Sequence, residues 1–117
     1  MAIIVDRKVG VNWELILHGQ ILAAGLPVPS VEMRFHPVRR WRFDIAFVEQ
    51  RLAVEIQGGV WRGGRHTSGA GYTRDVEKLN EAQILGWRVV YVTPDQIKSG
   101  QALDWIKRLL GTEVVSR

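Results

Sequence analysis

Apolar residues first recur at helical spacing. Trp13, Ile16, Leu17, Ile21 and Ala24 form a stripe, and Asn12 is placed to cap it. Gly25 and the Pro27/Pro29 pair predict its end. Val31 to His36 then reads as a strand that Pro37 interrupts. Two further strands, Trp41 to Val48 and Arg51 to Gln57, are separated only by a short polar turn, which predicts an antiparallel hairpin. Gly58 to Gly71 is a glycine-rich loop. A helix from Tyr72 to Leu85 ends at Gly86, a residue suited to a left-handed cap. Trp87 to Thr93 is a strand stopped by Pro94, and Gln101 to Leu110 is a final helix ended by Gly111. The order α-β-β-β-α-β-α predicts an α/β fold, a mixed central sheet flanked by helices.

The length of 117 residues suits one domain, taken as residues 1–117. Apolar types make up 46% and charged types 24%, a globular balance, and no apolar run reaches the ~20 residues of a membrane span. The opening MAIIVDRKVG has neither a long apolar core nor a small-residue cleavage site, so a cytoplasmic location is expected. The absence of cysteine excludes a disulfide scaffold, a thiolate zinc site and a thiol nucleophile. The net charge of +4 is carried mostly by arginine, whose planar fork suits phosphate oxygens. Arg34, Arg39, Arg40 and Arg42 fall in one stretch, and Arg62, Arg65, His66 and Arg74 in another. Each stretch fits a polyanion partner or an ordinary solvated surface.

The hairpin carries the candidate chemistry. A turn centred on Glu49 and Gln50 pairs residues whose numbers sum to 99. Phe47 then faces Leu52, Ile45 faces Val54 and Phe43 faces Ile56, all on one buried face. The opposite face sets Asp44 against Glu55 and Arg42 against Gln57, with Ala46 and Ala53 leaving open space beside the acids. Two facing carboxylates repel unless compensated. A hard divalent cation such as Mg²⁺ would compensate them, and so would basic neighbours such as Arg42 on a solvated face.

The segment RFDIAFVEQRLAVEIQ resembles the PD-(D/E)xK nuclease superfamily, in which an acid on one strand and an acid-x-Lys on the next build a metal site for phosphodiester hydrolysis. The resemblance implies Asp44 and Glu55 as metal ligands and places Gln57 where lysine is usual, there to orient the hydrolytic water. Phe43 stands at the motif's proline. Glu14 matches a helical acid of the archaeal-type Holliday junction resolvases, a group with phage-borne forms, and would assist the metal; the helix dipole alone also favours an acid there. Across residues 12 to 95, that likeness implies a Mg²⁺-dependent (alternatively Mn²⁺-dependent) endonuclease for four-way DNA junctions. Symmetric junction cleavage needs two active sites and hence a homodimer. Arg34, Arg39, Arg40, Arg62, Arg65 and His66 would then contact DNA, with phosphates tracked rather than bases read.

Gln57 keeps hydrogen-bonding capacity but supplies no positive charge. Lys78 on the following helix can lend a cation, although surface packing of its stem accounts for it more simply. The stretch GGVWRGGRHTSGAGYTRDVEKLNEAQILGWRVV resembles the very-short-patch-repair-like endonucleases. That likeness implies a monomeric nicking enzyme with His66 as an acid or base. Trp61 is a candidate for stacking on a base. A basic nucleic-acid-binding domain without catalysis is the rival from another class, with Gln57 marking the lost chemistry.

Overall fold

The computed structural model describes residues 5–6, 10–57 and 69–111. Its first helix, α1 (Trp13–Ala23), starts where the sequence predicts, with the Asn12 side chain accepting a hydrogen bond from Leu15 N at 3.0 Å. It buries Ile16, Leu17 and Ile21, the centre of the expected stripe. Before it lies a pairing the apolar pattern does not announce, β1 (Val5–Asp6) antiparallel to β2 (Gly10–Val11).

The main sheet contains β3 (Ser30–Arg34), β4 (Arg42–Phe47), β5 (Leu52–Ile56) and β6 (Arg88–Val92), in that spatial order. The first two junctions are antiparallel and the last is parallel. Between β5 and β6 the chain crosses over through α2 (Gly69–Ile84). At the end of α2, Gly86 adopts φ +90°, and Gly86 N and Trp87 N donate to the carbonyls of Gln83 and Ala82. The sheet is therefore mixed, as expected, and helices lie on both of its faces.

One face carries Ile45, Phe47, Leu52 and Val54 against Ile16, Leu17 and Ile21 of α1. Ile97 of α3 (Pro94–Ser99) and Ala102 and Ile106 of α4 (Gln101–Leu110) complete that layer. The other face packs Phe43, Ala46 and Ala53 against Ala82 of α2 and Trp87. Two expectations change here. The space beside Ala46 and Ala53 is filled rather than open: their small side chains admit Ala82 and the Trp87 indole, and both alanines are wholly buried. Phe43 leaves the face of Ile45 and Phe47 and stacks on Phe35, with ring centroids 3.8 Å apart.

Helix α3 is the other addition. Pro94 ends β6 as predicted and at once opens this helix from its first turn, where a missing N–H costs nothing. Thr93 and Gln96 close a capping box: Gln96 N donates to Thr93 Oγ1 at 3.3 Å, and Thr93 N donates to Gln96 Oε1 at 3.0 Å.

Candidate metal centre

The β4–β5 register is the one derived from the turn, with Ile45 opposite Val54, Ala46 opposite Ala53 and Phe47 opposite Leu52. Past Ile45 the carboxylates take over from the backbone. Asp44 N donates to Glu55 Oε2 at 2.9 Å, and Ile56 N donates to Asp44 Oδ2 at 2.7 Å. Each acid thus accepts the N–H of the strand opposite, so the two side chains lie between the strands instead of projecting from one face. Glu55 is 7% exposed and is the one charged residue buried among the described residues. Its second oxygen accepts a hydrogen bond and ion pair from Lys78 Nζ.

Glu32, which no sequence pattern singles out, completes the site. The pairs Val31–Ile45 and Met33–Phe43 flank it, so it stands opposite Asp44 in the β3–β4 ladder. Its backbone is left-handed, with φ +50°, a conformation that costs a non-glycine residue about 1–2 kcal/mol. One carboxylate oxygen each from Glu14, Glu32 and Asp44 lie within 4.8 Å of one another. Helix α1 and strands β3 and β4 each supply one of them. Register explains the omission. The connection from β3 to β4 runs from Phe35 to Trp41, too long for a turn rule to fix which residue faces Asp44.

The electrostatics follow from this crowding. The Glu14 carboxyl is pushed up to about 8, first by burial and then by its hydrogen bond with Glu32 and the charges of Glu32, Asp44 and Glu55. Asp44 is raised by burial, against the lowering effects of the Ile56 N–H and Lys78. Glu55 is likewise raised by burial, opposed by Lys78. Tyr91, beside Glu55 in the β5–β6 register, is raised by burial and then by the charges of Glu55 and Asp75. The donor set of Glu14, Glu32 and Asp44 is all carboxylate oxygen, which suits a hard cation such as Mg²⁺ or Mn²⁺.

The remaining predicted residues divide by position. Gln57 lies just past the end of β5, and its backbone N–H donates to Val92 O at 2.8 Å. Arg34 and Arg42 face each other across the β3–β4 ladder at the end of the sheet that holds the acids. Both are exposed, and like charges set directly opposite repel. Arg39 lies over Trp41, its guanidinium carbon 4.0 Å from the ring centroid, and reaches Glu77 at 3.8 Å. Arg40 is exposed on the same loop. His36 folds that loop back: its Nδ1 accepts from Val38 N and Arg39 N, and its Nε2 therefore carries the proton toward Glu81 Oε1 at 3.1 Å. Trp61, Arg62, Arg65 and His66 lie outside the described residues.

The chain is 32% identical over 76 residues to two uncharacterized proteins of Mycobacterium tuberculosis, one from each of two strains. The match covers 63% of this chain and 27% of each relative, so the chain spans about a quarter of their length. No family model matches, and no solved structure matches.

Proposed function

We propose that this chain is a metal-dependent DNA endonuclease that cuts four-way junctions as a homodimer. The observation that carries the reading is the convergence of Glu14, Glu32 and Asp44 from three separate elements, directly beside the buried Glu55. Opposing strands hold Asp44 and Glu55 through each other's N–H groups, so the carboxylates are oriented before any substrate arrives. A bound Mg²⁺ would polarise the scissile phosphate and make an adjoining water more acidic. Glu14, Glu32 and Asp44 would hold it, Glu55 would fix the Asp44 backbone, and the Gln57 amide would orient the water. Arg34, Arg39, Arg40 and Arg42 stand at the same end of the sheet, where they would track the phosphates of a DNA arm.

The test is a labelled synthetic four-way junction and its separate linear arms, each incubated with Mg²⁺ or with EDTA. Paired cuts in the junction alone, dependent on Mg²⁺, are expected. Asp44→Asn should lower the rate on the order of 100-fold or more, since it removes a charged ligand and keeps the shape. Cuts in the linear arms would redirect the reading to a general or mismatch-nicking enzyme. Binding with no cut would overturn the nuclease reading.

A further inference from the structure

We infer that Lys78 supplies the positive charge that Gln57 does not, acting on the scissile phosphate from helix α2 rather than from strand β5. The inference rests on the nuclease reading above and concerns the same site.

Surface packing does not account for Lys78. It continues the inner stripe of α2 that includes the buried Ala82 and the packed Leu85, at positions i, i+4 and i+7. Its side chain is 21% exposed, and its Nζ reaches Glu55 Oε1, with the Phe43 ring 6.0 Å away. Its ion pair with the buried Glu55 carboxylate offsets the cost of an inward ammonium and holds that charge inside the acidic site. Among the described residues, Lys78 is also the cation whose charge acts on both Asp44 and Glu55. Gln57, two residues after Glu55 and just past the end of β5, offers only a neutral amide. The cation in contact with the buried acid thus stands on the helix, at Lys78.

In hydrolysis the water oxygen forms a new bond to phosphorus while the bond to the leaving sugar oxygen breaks. The water gives up one proton to solvent, and the leaving oxygen takes one up. Negative charge grows on the non-bridging oxygens in between, and a preorganised ammonium stabilises it there. The three Nζ hydrogens let Lys78 keep its bond to Glu55 and donate to a phosphoryl oxygen together.

The test compares wild type, Lys78→Gln, Gln57→Lys and the double variant Lys78→Gln/Gln57→Lys on the four-way junction with Mg²⁺. Junction affinity in EDTA and thermal unfolding are measured alongside. The expected result is a loss on the order of 100-fold in cleavage for Lys78→Gln, with junction affinity nearly kept, and substantial recovery in the double variant. A lysine returned from a different element cannot repair a packing defect in α2, so recovery separates charge from structure. Lys78→Gln cleaving like wild type overturns the inference and leaves the nuclease reading standing. Loss of cleavage without recovery in the double variant also overturns it. A wild-type chain that never cuts removes the nuclease reading itself.

Discussion

Glu14 shares a hydrogen bond with Glu32, and the burial of Glu14 favours its neutral acid. With its carboxyl pushed up to about 8 from an ordinary 4.5, Glu14 keeps a proton in the folded chain that the unfolded chain has already lost. The folded state binds more protons between those two values, so stability must fall as pH rises through that window. Asp44 and Glu55, both raised, act with the same sign. Without divalent cation, the Tm is expected to fall from pH 5 to pH 8, and Glu14→Gln is expected to flatten the profile. A Tm that rises over this range in wild type would show the carboxyl cluster to be ionised and compensated. Added Mg²⁺ should raise the Tm more at pH 8 than at pH 5, because fewer protons then have to leave the ligands for the cation to bind.

The elements that carry the site differ in how each is held. Helix α1 begins at a side-chain cap, and this places Glu14 within its first turn. The β4–β5 hairpin is registered by a turn whose Arg51 N donates to Val48 O at 3.2 Å, and two apolar pairs then lock it. The loop from Phe35 to Trp41 is held by His36 rather than by strand pairing, through two backbone N–H groups and Glu81. Helix α3 depends on its capping box, because six residues form too few internal bonds to stand alone. Thr93→Ala is therefore expected to cost about 1 kcal/mol, measurable by denaturant unfolding, with Ile97 the core contact put at risk. The Thr-Pro-Asp-Gln run announced this helix, but Pro94 read as the stop of β6 hid it as a start.

Taken together, the fold brings the C-terminal ends of β3 and β5 and the N-terminal end of β4 to one rim, where the acids and arginines lie side by side. Among the described residues no helix is long and apolar enough to cross a membrane. On the proposed function, that rim meets a polyanion, and the salt dependence of binding reports how many phosphates it neutralises. If Arg34, Arg39, Arg40 and Arg42 engage in both subunits of the homodimer, junction affinity should fall on the order of 10,000-fold between roughly 50 and 200 mM salt. A loss of only a few-fold would exclude the rim as the DNA-tracking surface. Substituting the Arg34 and Arg42 pair should flatten the slope.

What the sequence determined by itself was everything governed by short range. Periodicity placed the main helices and strands, Gly86 marked the end of α2, and the turn at Glu49–Gln50 fixed the facing of β4 on β5. Asp44 and Glu55 were legible as partners for that reason, since a short turn leaves one register that buries the apolar face. Only the tertiary structure decided what joins them. Glu32 enters through β3–β4 pairing across a long loop, Lys78 through the docking of α2, and Phe43 changes face where the carboxylates displace the ladder. Those placements depend on contacts between residues distant in sequence, and no local pattern encodes which of several packings buries the most apolar surface.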